Sequence, residues 1–193
     1  EEATINYRII YFEQAQASYE ALNRNSAVDL LKSALSYDNS FIPAAQMLAE
    51  LHVAMGKESQ AIKVIRKTWK YQTSPLLAAL HQQAYEKLSE EKQLKKAQEL
   101  AGNNPQDNES QYVIARAAIA AKRWDIARNH LKTALSNQET VTACQLMADL
   151  EDKEKSDETK QKVWLERAAV AVPSANWRCG SCNFEPLAWK AHC

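Results

Sequence analysis

The sequence contains few of the residues that interrupt helices, with only 3 glycines and 5 prolines among 193 residues. Folds rich in strands and tight glycine turns are therefore disfavoured, and long helices joined by short turns are favoured. The three glycines are Gly56, Gly102 and Gly180, and they lie too far apart to build a phosphate-binding loop or a dinucleotide-binding fingerprint. The apolar fraction of 46% is high enough to fill a core.

Net charge and long apolar runs are also missing. Lys plus Arg number 24, as do Asp plus Glu, so no overall positive field exists to attract nucleic acid or anionic lipid. No segment approaches the roughly 18 apolar residues of a membrane span. Because the chain starts at Glu1 without methionine, we expect a soluble fragment or processed form. Membrane attachment is expected only through an N-terminal anchor outside this chain.

Motifs of catalysis are absent as well. The sequence has no nucleophile elbow and no His-Glu-x-x-His metalloprotease motif. The four histidines, His52, His81, His130 and His192, are scattered along the chain and are interpreted as interface or surface residues, so haem is not an expected cofactor. We predict that the chain is not an enzyme.

An internal repeat is the strongest positive signal. The segment Ala27-Val-Asp-Leu-Leu-Lys-Ser-Ala-Leu35 recurs in related form, and the separations between successive copies are 34, 32, 34 and 34 residues. A period of about 34 is that of the tetratricopeptide (TPR) repeat, a helix–turn–helix unit. The five copies begin at Ala27, Ala61, Gln93, Ala127 and Gln161.

Each copy carries small or apolar residues at positions i, i+4 and i+7, which is one face of a helix. A first helix precedes each copy, for example over 41–55, 110–121 and 141–152, and the third unit, 74–104, is the least typical. The alternative is a plain helical bundle with coincidental spacing. The in-phase repeats favour an all-α, TPR-type superhelical solenoid of about five antiparallel helix pairs over residues 1–173, with at least nine helices and no sheet beyond two short strands.

The TPR register also predicts a partner-binding groove. The inner wall of such an array is built from the first helices. Aromatic residues with a few polar groups suit an extended peptide or a partner helix; the alternative is that several of these residues fill contacts between repeats. The predicted groove residues are Phe12, Gln16, Tyr19, Gln46, Glu50, Val53, Gln82, Tyr85, Tyr112, Arg116 and Ile119. The Lys/Asn carboxylate clamp of chaperone-binding TPR proteins is absent from the matching positions.

Three of the four cysteines crowd the last 15 residues. Cys179 and Cys182 have Cys-x-x-Cys spacing, and Cys193 follows after ten residues, which predicts a partial, truncated zinc-ribbon or rubredoxin-like knuckle over 174–193. A structural zinc site needs a fourth ligand, either a cysteine beyond this chain or His192; a metal-free half-knuckle is the alternative. We expect residues 177–193 to dock on the end of the last helix pair, with the indoles of Trp177 and Trp189 covering its open apolar end. Cys144, among apolar neighbours, is predicted to lie in the core.

Seven short stretches, spread over nearly the whole chain, carry a family resemblance: Phe41-Ile-Pro-Ala-Ala45, Gly56…Ala61…Trp69 with Pro75, Asn104-Pro105…Glu109-Ser110, Trp124-Asp-Ile-Ala-Arg128, Leu146-Met-Ala-Asp-Leu-Glu151, Trp164-Leu-Glu-Arg-Ala168 and Trp177-Arg-Cys-Gly-Ser-Cys182. In these stretches the chain resembles the C-terminal region of HemY-like proteins, bacterial inner-membrane TPR proteins associated with haem biosynthesis. The family's N-terminal membrane hairpin and its second Cys-x-x-Cys are not in this sequence. The LapB-like family, which also joins TPR units to a zinc ribbon, is the alternative.

The HemY-like resemblance implies a scaffold that gathers or regulates haem-biosynthesis enzymes at the inner membrane, with its TPR region on the cytoplasmic side. The LapB-like alternative implies an adaptor that regulates an envelope-biosynthesis enzyme or its protease. In both cases the partners are proteins, and nucleic acid is not expected.

Overall fold

The computed structural model describes residues 2–173, with side chains from Tyr7 onward, and these residues form two compact units. The unit over 2–84 contains α1 (Glu2–Glu20), α2 (Arg24–Tyr37), α3 (Ile42–Ala54), α4 (Glu58–Trp69) and α5 (Pro75–Ala84). The unit over 85–173 contains α6 (Glu90–Ala101), α7 (Asn108–Ala120), α8 (Trp124–Asn137), α9 (Val141–Lys155) and α10 (Glu158–Val170). The described residues are thus all-helical, as predicted, and their only β-type pairing is one isolated bridge between Thr140 and Val172.

Consecutive helices pack in pairs within each unit. In the first unit α1 packs on α2 and α3 on α4, while α5 lies against both α3 and α4. In the second unit α7 packs on α8 and α9 on α10, while α6 lies against α7. The third predicted pair is therefore divided between the units, because α5 belongs to the first and α6 to the second.

The repeat identified in the sequence lies in the second helix of each predicted pair. All five copies fall in α2, α4, α6, α8 and α10. The small and apolar residues of the predicted face are fully buried in the clearest copies: Ala27, Leu31, Ala34, Ala61, Ile65, Ala127, Leu131 and Ala134. Their burial confirms that positions i, i+4 and i+7 of each of these copies form the packed face of a helix. Small side chains on this face let neighbouring helices approach closely.

Polar side chains define where several helices begin. Asn23 accepts a hydrogen bond from the Ser26 amide before α2, and Thr140 accepts one from the Ala143 amide before α9. Asp107 accepts a hydrogen bond from the Glu109 amide before α7, and Asp157 accepts one from the Lys160 amide before α10. These caps satisfy amides that have no partner within the helix.

The turns inside the four pairs repeat in phase. Each passes through the left-handed region at one residue: Leu22 (φ 61°), Gly56 (φ 69°), Lys122 (φ 55°) and Ser156 (φ 49°). In the first three turns, the amide of the following residue donates to the carbonyl five positions earlier, at 2.8–2.9 Å. This closes the preceding helix in a Schellman-type end. Only one of the four positions is a glycine, so conformational preference alone would not have located the other three.

Gly56→Ala is expected to lower the free energy of unfolding by about 1 kcal/mol. A Cβ at Gly56 would meet nothing within 4 Å, so the cost comes from the backbone conformation rather than from a clash. Urea unfolding followed by circular dichroism measures the change.

The matched control is Gly102→Ala. Gly102 has right-handed backbone (φ −58°), and a Cβ there would lie 3.4 Å from the Gln98 carbonyl oxygen, which is van der Waals contact without a clash. That variant should be near neutral. Equal losses in the two variants would contradict the role assigned to the left-handed turn.

No helix within residues 2–173 combines the length and the apolar character that crossing a membrane requires. Cys144 is fully buried, which confirms its predicted place in the core. The predicted cap over 177–193 and the three cysteines of the predicted knuckle, Cys179, Cys182 and Cys193, lie outside the described residues, so the cap and the zinc knuckle stay predictions.

Candidate partner-binding groove

An open groove of about 440 Å³ lies between α1 and α3, the first helices of the first two pairs. We call it the α1/α3 groove. Its volume falls within the roughly 300–1,000 Å³ typical of ligand sites. Its lining residues are Phe12, Gln16, Tyr19 and Glu20 of α1 with Pro43, Gln46, Met47, Glu50, Leu51 and Ala54 of α3.

The apolar part of the lining is anchored in the core of the unit. Phe12 is only 5% exposed and meets Phe41 edge to face, with ring centroids 5.6 Å apart. The Arg8 guanidinium lies 5.1 Å from the Phe41 ring centroid and pairs with Asp38 at the end of α2. Leu51 is buried as well. These contacts hold the floor of the groove in place before any partner arrives.

Polar and amphipathic side chains form the rim. The Gln46 amide donates a 2.9 Å hydrogen bond to a carboxylate oxygen of Glu50 one helical turn later. Tyr19 is 47% exposed, and Gln16 and Glu20 are exposed on α1. An apolar floor with a few polar rim groups is the composition of a protein-recognition site.

Five of the predicted groove residues line this one cavity: Phe12, Gln16, Tyr19, Gln46 and Glu50. Five lining residues were not predicted: Glu20, Pro43, Met47, Leu51 and Ala54. On α3, Pro43 lies one helical turn before Gln46 and Ala54 one turn after Glu50, so extending the helical face in each direction would have found them. Met47 and Leu51 directly follow Gln46 and Glu50, so they would have been found only by also widening that face.

Three other predicted residues lie away from this cavity's lining. Val53 is half-buried on α3. Gln82 is exposed on α5. Tyr85 is half-buried in the second unit, where the Lys96 ammonium lies 5.8 Å from its ring centroid.

The predicted residues of α7 are placed differently from those of α1 and α3. Tyr112 and Ile119 are 4% and 3% exposed and belong to the hydrophobic core of the second unit. The Tyr112 hydroxyl lies 2.6 Å from the hydroxyl of Thr140, the N-cap residue of α9. Burial raises the pKa of Tyr112. The structure therefore places these two side chains inside the unit, in contacts between helices.

Arg116 is engaged within its own helix. Its guanidinium donates to Glu109 across 3.1 Å, two turns earlier on α7. Burial raises the pKa of the Glu109 carboxyl, and the neighbouring Arg116 charge acts in the opposite direction.

The histidines of the described residues sit at helix contacts. His130 Nδ1 lies 2.7 Å from the Gln111 side-chain oxygen, and Gln111 itself donates to the Pro105 carbonyl. Burial lowers the pKa of His130. His52 is 7% exposed, and its pKa is lowered first by burial and then by the charges of Lys32 and Lys57. Among residues 2–173, no group of three or more His, Cys, Asp or Glu side chains could hold a metal ion.

Comparison with known proteins identifies the tetratricopeptide repeat that the sequence period predicts. Residues 18–84 match the family model described as tetratricopeptide repeat, and this range runs from the end of α1 through α5. A curated relative, the probable magnetosome protein Mms48 of Magnetospirillum gryphiswaldense, is 26% identical over 165 residues. The match covers 85% of this chain but only 37% of the relative, so the chain spans little more than a third of that protein's length.

Solved structures of MamA share the fold. One is 14% identical, covers 85% of this chain and 91% of its own, and superposes with a TM-score of 0.50. A second MamA structure is 13% identical, with coverages of 81% and 92% and the same TM-score. The paired helices, their in-phase turns and the family match over 18–84 show that the described residues have a fold of tetratricopeptide-repeat type.

Proposed function

We propose that this chain is a non-catalytic protein–protein interaction scaffold and that it contacts a partner through the α1/α3 groove. The observation that carries the proposal is that two successive first helices converge on one cavity with an anchored apolar floor and an exposed polar rim. Helix pairs with an open inner wall are the means by which repeat proteins bind partners. An apolar groove with a polar rim suits an extended segment or the face of an amphipathic helix.

The finer proposal follows the HemY-like resemblance. The partners are haem-biosynthesis enzymes, which the full-length protein gathers or regulates at the inner membrane. A LapB-like adaptor that regulates an envelope-biosynthesis enzyme or its protease is the alternative. The relative Mms48, named as a probable magnetosome protein, adds a magnetosome role as a third candidate. A structural zinc on Cys179, Cys182 and Cys193 remains part of the proposal, and zinc analysis of a chain extended past Cys193 would test it.

Site-specific photocrosslinking tests the scaffold function. A photoreactive phenylalanine analogue placed at Gln16 on the groove rim should trap a protein partner in the source cells. The same analogue at Lys63, an exposed position on the second helix α4, is the matched control. Crosslinks from Gln16 that are absent from Lys63 are expected, and mass spectrometry of the trapped protein separates the three finer candidates. Equal crosslinking from both positions, or none from Gln16, would contradict a partner site in the groove.

A further inference from the structure

The charges of the α1/α3 groove have one sign. Its lining contains two carboxylates, Glu20 on α1 and Glu50 on α3, and none of its ten lining residues is a lysine, arginine or histidine. Both carboxylates belong to exposed residues, so they stand at the rim, while the floor beneath is built from Phe12, Met47 and Leu51. The groove therefore presents negative charge on both helices around an apolar centre.

We infer that the groove takes a partner segment in which a large apolar side chain lies next to a lysine or arginine. The apolar side chain fills the space over Phe12 and Leu51, and the neighbouring cation lies between the carboxylates of Glu20 and Glu50. This inference deepens the proposed function and depends on it, because it names the chemistry of the partner at the same site.

The negative charge of the groove favours a cationic partner segment over an anionic one. Two carboxylates that line one groove attract a cation on the partner, whereas they repel an acidic segment. The Gln46 amide donates to only one of the two carboxylates, that of Glu50, and it leaves the negative charge in place. The arrangement is opposite in sign to a clamp that captures a partner's carboxylate, and the sequence lacks such a clamp at the matching positions.

The size of the effect follows from the exposure of the two glutamates. Solvent-exposed ion pairs are weak, and two of them together change a dissociation constant by between about twofold and thirtyfold. Salt screens exposed charges, so the preference for cations should weaken as ionic strength rises. The apolar contact supplies the remaining affinity and should be insensitive to salt.

The experiment is a selection from a displayed library of random twelve-residue peptides on the full chain. Selected peptides should be enriched in Lys or Arg next to Leu, Phe, Trp or Met. Fluorescence polarisation with labelled copies of these peptides should show about tenfold weaker binding to Glu20→Gln/Glu50→Gln. Binding to Glu58→Gln/Glu86→Gln, which removes two exposed carboxylates outside the groove, should not change.

A third variant distinguishes failure of the inferred cation preference from failure of the proposed partner-binding groove. Ala54 is exposed and lines the groove, so Ala54→Trp should obstruct the groove without disturbing the core. If Ala54→Trp weakens binding but the double glutamine variant does not, or if the selected peptides are neutral or acidic, the inferred cation preference is wrong while the groove stands. If Ala54→Trp has no effect, or the library yields no binder, the proposed function itself fails.

Discussion

Arg128→Ala is expected to lower the free energy of unfolding of the second unit by about 3 kcal/mol, at the lower end of the range for broken buried pairs. The Arg128 guanidinium on α8 donates to both Glu151 and Glu154 on α9. Glu151 is only 4% exposed, so without the arginine its carboxylate would be buried and unpaired. The arginine side chain is itself 27% exposed, which lets some water reach the site and keeps the cost at the lower end.

Urea unfolding gives the magnitude, and hydrogen exchange of peptides from α8 and α9 gives the location. Arg123→Ala is the matched control, because Arg123 pairs with Glu91 at 3.4 Å while both side chains are about half exposed. That variant should cost less than about 1 kcal/mol.

The double variant Arg128→Met/Glu151→Met should recover most of the loss. Replacing both members of a buried pair with apolar residues removes the desolvation cost along with the attraction. A loss in Arg128→Ala no larger than that in Arg123→Ala would show that Glu151 is solvated in the variant, contrary to this account.

Trp69→Ala is expected to cost about 3–5 kcal/mol in the first unit. Trp69 ends α4 and is fully buried, on the same side of the helix as Ala61 and Ile65. Helix α4 packs against both α3 and α5, so a cavity at Trp69 weakens the packing behind the helix that lines the groove. Trp69→Phe should cost less, since an aromatic ring still fills much of the space.

The control is Tyr71→Ala, two residues further along, where the side chain is 60% exposed. It should change the free energy of unfolding by less than about 0.5 kcal/mol. Thermal unfolding with hydrogen exchange over α3 and α4 distinguishes the two variants. Unchanged exchange protection in Trp69→Ala would mean that the surrounding side chains close the cavity.

The sequence predicted the helices because their signals are local. Ala27, Leu31 and Ala34 recur at a helical spacing that any short window reveals, and the 34-residue period places each copy in a second helix. Gly56 marked its turn for the same reason, since glycine tolerates positive φ. Leu22 and Lys122 adopt the same backbone without that signature, because the Schellman-type contacts of the preceding helix hold them there.

The tertiary structure decided which first-helix residues face a cavity and which face the core. Phe12 and Tyr112 occupy similar places in the repeat register, yet Phe12 lines an open groove and Tyr112 contacts Thr140 inside the second unit. Likewise, the pairing of Arg128 with Glu151 joins residues 23 positions apart. Helical periodicity fixes which side of a helix is apolar. Whether that side is covered depends on the neighbouring helices, and their placement is set by packing across the whole unit rather than by any local pattern.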